Sequence, residues 1–171
     1  MYAVELEEAM LSDGYALPQF AGVYAADTLP RLVTRPSLLI ANTDPINKPG
    51  THWVAFSIDK FGRGEYFDSY GLAPYVKEHR DFLNRQCSTW TYNTVELQSY
   101  TSQVCGEYCV LYLTCKARGF SLQDFLYHYK KTGSPFDNDK LTRKTFMKNF
   151  GKCIKPKRKI CNNQYCCSRE T

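Results

Sequence analysis

Residues 53–68 constrain the fold more tightly than any other stretch of the chain. Trp53-Val54-Ala55-Phe56-Ser57-Ile58 is rich in β-branched and aromatic residues, Asp59-Lys60-Phe61-Gly62-Arg63-Gly64 carries turn chemistry, and Glu65-Tyr66-Phe67-Asp68 resumes the β-forming pattern. Two such runs joined by a glycine-containing turn predict a β-hairpin. Antiparallel pairing then brings the outer ends of the two runs to one edge of a sheet. His52 and Asp68 stand at those ends.

Around the hairpin the sequence predicts further strands and a set of helices. Leu38-Leu39-Ile40-Ala41 is a short apolar run suited to a buried strand, and residues 89–97, rich in Thr, Tyr, Val and Trp, predict a third core strand. Residues 4–13 read as an amphipathic helix with Val4, Leu6, Met10 and Leu11 as its apolar set, and residues 75–86 fit a second helix. Residues 106–118 have apolar positions at 109, 110, 112, 113 and 117, a helical spacing, with Gly119 in the usual closing position. Residues 121–131, opened by Ser121 with Asp124 three residues on, and residues 137–150, closed by Gly151, complete the helices. Residues 15–36 hold Pro18, Gly22, Pro30 and Pro36, too many breakers for a long regular element. The pattern is that of an α+β protein.

The 171 residues suit one ordinary domain, and 43% hydrophobic with 23% charged residues is a globular composition. No stretch approaches the length of an apolar membrane span, and Met1-Tyr2-Ala3-Val4-Glu5 lacks the basic-then-apolar layout of a signal peptide. The expectation is an intracellular protein that is neither secreted nor membrane-bound. On that basis the eight cysteines are expected to be mostly reduced thiols rather than a disulfide framework. Charge is uneven: residues 151–171 hold six Lys/Arg against one Glu, and the remainder balances at sixteen of each. This predicts one folded domain over residues 1–151 and a basic, Cys-containing tail over 152–171. Lys155, Lys157, Arg158 and Lys159 could hold nucleic acid by counterion release, or serve only solubility. Cys153, Cys161, Cys166 and Cys167 lack a two-residue Cys pair of the zinc-ribbon kind, so no metal is expected. His79 and His128 read as structural.

A thiol protease needs a thiolate, a histidine to share its proton, an acid to orient the histidine, and donors for an oxyanion. Cys105-Gly106 opens a helix, where unpaired N–H groups and the positive dipole end favour a thiolate, and Gly106 would let backbone approach a substrate. His52 and Asp68, meeting at one sheet edge, would form an Nδ1–H to carboxylate bond. Gln98, at the end of the strand before the nucleophile helix, would join the Cys105 N–H in an oxyanion hole. Each residue alone has a duller reading: a structural His, an inert packed Cys, a turn Asp. Their conjunction points to one mechanism.

Gly50-Thr51-His52-Trp53-Val54-Ala55-Phe56, Tyr66-Phe67-Asp68-Ser69-Tyr70-Gly71 and Gln98-Ser99-Tyr100-Thr101-Ser102-Gln103-Val104-Cys105-Gly106-Glu107-Tyr108-Cys109 resemble the adenovirus protease (adenain-like) family of cysteine peptidases, which includes proteases of related viruses and of Polinton/Maverick transposons. The likeness covers about residues 15–120 and includes Phe20-Ala21-Gly22-Val23-Tyr24. Gln98 lies seven residues before Cys105, the adenain-like spacing. The SUMO-directed cousins use six and usually place Asp directly ahead of the nucleophile, where this chain has Val104. The adenovirus enzymes carry Glu where this chain has Asp68, one methylene shorter.

The resemblance implies a papain-like fold with a mixed sheet packed against the nucleophile helix, in which His52 is the base, Cys105 the nucleophile, Asp68 the orienting acid and Gln98 the oxyanion residue. It implies cleavage of viral or transposon capsid or core precursors, next to Gly, by a monomer in the host nucleus and virion-like particle, with no cofactor required for the chemistry. It also implies DNA and a short peptide as activators. Cys87, eighteen residues before Cys105, matches the cysteine that pairs with that peptide, although a free cysteine ending a helix is the plainer reading. Two other functions stay open: a protease that deconjugates SUMO or another ubiquitin-like protein, and an inactive nucleic-acid-binding structural protein.

Overall fold

A computed structural model describes residues 1–154. Five strands form one sheet in sequential order: β1 (Phe20–Tyr24), β2 (Ser37–Asn42), β3 (Trp53–Ile58), β4 (Arg63–Phe67) and β5 (Thr89–Tyr92). The two central joins, β2–β3 and β3–β4, are antiparallel, and the two edge strands pair in parallel, so the sheet is mixed. Five α-helices accompany it: α1 (Ala3–Ser12), α2 (Lys77–Gln86), α3 (Cys105–Ala117), α4 (Leu122–Tyr127) and α5 (Pro135–Phe150). Among the described residues, no helix is long and apolar enough to cross a membrane.

Strand alternation sorts the core into two halves. Leu38, Ile40, Ala55 and Phe67 point to the face covered by α1, α3, α4 and α5, while Leu39, Ala41, Val54, Phe56 and Tyr66 point to the face covered by Phe82 and Leu83 of α2. With both faces covered, every residue of β2 is buried, which is why its sequence is a continuous apolar run without alternation. Helix α3 is buried through its first ten residues. Its start packs closely on α1: a Cβ at Gly106 would meet Leu6 Cδ2 at 2.9 Å. Gly106 therefore lets α3 pack closely on α1.

Several expectations change. The predicted core strand over 89–97 is a four-residue edge strand with alternate residues exposed. Past Tyr92 the chain leaves the ladder because the Asn93 side chain closes on Asp68, accepting from its N–H at 2.9 Å and donating to its carbonyl at 2.7 Å. The stretch between Pro18 and Pro36 contains β1, whose ladder is irregular between Phe20 and Gly22, with φ +132° at Gly22. In α1 the buried residues are Leu6, Ala9 and Met10; Val4 and Leu11 are about half exposed. Helix α4 stops at Tyr127, and tighter i→i+3 bonds from Tyr129, Lys130 and Thr132 carry the chain through a turn. Helix α5 begins at Pro135 behind its cap Ser134. Ile154 is partly buried against the core that α3 and α5 share.

Candidate active site

The hairpin does what its sequence predicts: His52 directly precedes β3, Asp68 directly follows β4, and their side chains meet. His52 Nε2 lies 2.8 Å from Asp68 Oδ1, with Asp68 fully buried and His52 8% exposed. The nitrogen differs from the expected Nδ1. Ala55 pairs with Phe67, so the register carried outward sets His52 opposite Tyr70 and leaves Asp68 on the diagonal, which the outer nitrogen spans. Nδ1 is then left free of the carboxylate, and Cys105 lies near enough for its charge to act on the ring.

Electrostatics follow from this pairing. Burial alone disfavours the imidazolium, but hydrogen bonds and charge from Asp68 and Cys105 outweigh it and push His52 up to about 9. Cys105 is the first residue of α3, whose N-cap, Val104, has no side-chain oxygen to satisfy the first N–H groups of the helix. Cys109, one turn inside, is fully buried and its thiol is raised well above the usual range by burial, so the two cysteines of the same helix differ in kind.

The turn Asp68-Ser69-Tyr70-Gly71 ties the site together. The Gly71 N–H closes it on Asp68 O at 2.8 Å, and the Tyr70 N–H donates to Asp68 Oδ1 at 2.8 Å, beside His52. Ser69 Oγ donates to Gln98 Oε1 at 2.6 Å, and Ser69 O accepts from both Leu97 N and Gln98 N. Gln98 is thus placed next to the acid through Ser69, in the loop between β5 and α3 rather than at a strand end. Its Nε2 gives one hydrogen to Ser102 O at 3.1 Å and keeps the other. Helix α5 braces this loop: Asp139 Oδ2 accepts from Ser99 N, Asp139 Oδ1 from Tyr108 Oη, and Asn138 donates to Leu97 O. Sequence reasoning passed over Ser69, Tyr70, Asn93 and Asp139. Only the turn signature Ser-Tyr-Gly after Asp68 could have drawn attention to the first two.

The other candidates lie elsewhere. Cys87 follows α2 at the far end of β4 from Asp68, with its sulfur against Gly64; burial pushes this half-buried thiol up, while the charge of Arg35 partly offsets it. His79 is buried under the sheet with Nε2 donating to Asn42 O at 3.1 Å, and burial pushes it down to about 4. Among the described residues no three His, Cys, Asp or Glu side chains are grouped as a metal ion would need. Lys155, Lys157, Arg158 and Lys159, with Cys161, Cys166 and Cys167, lie outside the described residues.

The chain is 32% identical over 112 residues to the protease of Bovine adenovirus 4, a match covering 56% of this chain and 56% of that one. It therefore spans about half the length of the curated relative it matches. No protein-family model matches. Among solved structures, the crystal structure of the ASFV pS273R protease superposes with a TM-score of 0.60 at 18% identity, covering 82% of this chain and 65% of that one, a likeness of fold. The chain is thus similar in sequence, over part of its length, to an adenovirus protease, and similar in fold to the ASFV protease.

Proposed function

We propose that the chain is a cysteine endopeptidase. The observation that carries the reading is His52, bonded to Asp68 at 2.8 Å and acted on by Cys105 at the start of a buried helix without a side-chain cap. In this reading the proton of Cys105 rests on His52, and the thiolate attacks a peptide carbonyl. The resulting oxyanion takes hydrogen bonds from the Cys105 N–H and the second hydrogen of Gln98 Nε2. His52 then protonates the leaving amine, giving a thioester, and in the second half removes a proton from the water that hydrolyses it. Asp68 holds the imidazole and balances its charge throughout.

For substrates, likeness to an adenovirus protease supports viral or transposon capsid or core precursors cut beside Gly. The same likeness supports a role for DNA along the basic tail and an activating peptide at Cys87. A salt titration of DNA binding by the full chain and by a version ending at residue 154 tests the tail: each lost phosphate contact should flatten the log–log slope by about 0.9.

The peptidase reading is tested with peptides spanning Gly-containing cleavage sites. Cys105→Ala should abolish cleavage, whereas Cys109→Ala should retain most of it. Equal loss in both, with folding intact, would remove Cys105 as the nucleophile.

A further inference from the structure

We propose that Tyr66, Asp68 and His79 hold one internal water molecule behind the His52–Asp68 pair, and that Tyr66 and His79 act through it as positioning residues for the acid. The water site rests on the atoms around it, and its part in catalysis rests on the peptidase reading above. Among the described residues, five buried side-chain polar atoms have no hydrogen-bond partner in the protein. Ser37 Oγ on β2 and Glu107 Oε2 on α3 are two of them. The other three are Tyr66 Oη, Asp68 Oδ2 and His79 Nδ1, which belong to neighbouring residues.

Their neighbourhood follows from the sheet. Tyr66 and Asp68 are two residues apart at the end of β4, so their side chains leave the same side of the ladder. His79 of α2 lies under that side, with its ring centroid 6.0 Å from that of Tyr66, and Phe56 stands edge-on to both rings at 5.3 Å. The charge of Asp68 reaches both Tyr66 and His79. All three residues are fully buried, so bulk solvent satisfies none of the three atoms.

Their donors and acceptors match one water. The neutral His79 donates from Nε2 to Asn42 O, which can only accept, so Nδ1 keeps a lone pair. Asp68 Oδ2 is an acceptor as well, and Tyr66 brings a single O–H. Two acceptors and one hydroxyl are a hydrogen short. A water gives one hydrogen to Asp68 Oδ2 and the other to His79 Nδ1, and accepts that of Tyr66. Three bonds are the usual number for a buried water, which sits where polar groups would otherwise go unsatisfied. Asp68 Oδ1 is already held by His52 Nε2 and the Tyr70 N–H. A bond to Oδ2 stops the carboxylate turning about that oxygen, and so keeps Oδ1 aimed at the imidazole.

The test is a crystal structure of the full chain, fine enough to place internal waters, beside kcat and KM for a peptide substrate. One ordered water should lie within about 3.2 Å of Tyr66 Oη, Asp68 Oδ2 and His79 Nδ1. Tyr66→Phe keeps the ring and removes the hydroxyl. His79→Gln keeps a donor for Asn42 O and removes the Nδ1 acceptor. Each should lower kcat about fivefold, the size of one neutral hydrogen bond, with KM unchanged. The double variant should lose no more than the less active single one, because both act through the same water. A structure in which no water bridges the three atoms, or in which they bond to one another directly, overturns the site. Losses in kcat that multiply in the double variant, or single variants that keep wild-type kcat, overturn the positioning role. If the bridging water is present in a protein that cleaves no peptide, the site stands and the peptidase reading fails.

Discussion

The two halves of the site are built by different physics. The base half, His52 and Asp68, sits at the paired end of a hairpin whose strands are adjacent in sequence and antiparallel, so a local ladder sets its geometry. The oxyanion half, residues 93–104, has no regular structure and is held by side chains from distant segments: Ser69 on Gln98, Asn138 on Leu97 and Asp139 on Ser99. A ladder spreads the positioning of a residue over many backbone bonds. The loop concentrates it in a few side-chain bonds, each of which a single substitution removes. Changes in the base half should therefore act through charge, and changes in the loop half through placement.

The sharpest separation comes from Asp68→Asn. The amide fills the same volume and can still accept from the Tyr70 N–H, so the ladder should hold and stability should change little. What is lost is the charge that supports the imidazolium. The comparable change in a serine protease triad lowers turnover by about 10⁴, and a loss of that order is expected here in kcat for a peptide substrate. Near-normal turnover would show Asp68 to be a turn residue only.

Gln98→Ala probes the other half. Removing one oxyanion donor typically costs about 10²–10³ in kcat, and that range is expected with KM nearly unchanged. The same substitution leaves Ser69 Oγ without its buried acceptor, so a modest loss of stability should accompany it. A large rise in KM with kcat unchanged would make Gln98 a substrate-binding residue instead.

This contrast also explains what could be read from the sequence. Trp53–Ile58, the turn and Tyr66-Phe67 announce a hairpin because strand pattern and turn chemistry are local, and His52 and Asp68 come with it. Helix α3 is legible for the same reason, through its spacing and Gly119 at φ +84°. The end of β5 was illegible because it depends on Asn93 reaching back 25 residues to Asp68. So was β1, whose parallel partner β2 lies beyond two prolines and whose own five residues show no alternation of burial. The nitrogen that meets Asp68 was missed because it depends on the diagonal register, which the sequence does not state. Gln98 was singled out by its place ahead of Cys105, whereas Ser69 was marked only by the turn it belongs to and Asp139, on α5, by nothing local.

Beneath the base half lies a second histidine whose electrostatics run the opposite way. His52 is raised to about 9 by its anionic partners, so its contribution to stability is fully present below about pH 6.5 and is lost as pH rises through about 9. His79 is lowered to about 4 by burial against Phe56 and Tyr66, so the native state favours its neutral form. Its contribution is present above about 6.5 and is lost as pH falls towards 4. In His79→Gln the amide can still donate to Asn42 O but takes up no proton. Between pH 7 and pH 5 the wild type should therefore lose about 2 kcal/mol more unfolding free energy than this variant, measured by urea titration. Parallel losses in the two proteins would remove His79 as an acid-sensitive prop of the sheet.

Ser69→Ala should give the smallest effect and the most specific one. Ser102 O identifies the nitrogen end of the Gln98 amide, because a carbonyl can only accept, and the Ser69 hydroxyl holds the oxygen end at 2.6 Å. Without the hydroxyl, Gln98 keeps one anchor, and the amide can swing about its bond to Ser102. Losing one neutral hydrogen bond corresponds to about 1 kcal/mol, so a drop in kcat of about fivefold to tenfold is expected, with KM and the pH profile unmoved because His52 and Asp68 are untouched. Combining Ser69→Ala with Gln98→Ala should cost no more activity than Gln98→Ala alone, since the hydroxyl acts only through the amide it holds. Additive losses in the double variant would show that Ser69 supports catalysis by another route, most directly through the turn that it shares with Asp68 and Tyr70, and the separation between a charge-driven half and a placement-driven half would fail at that residue.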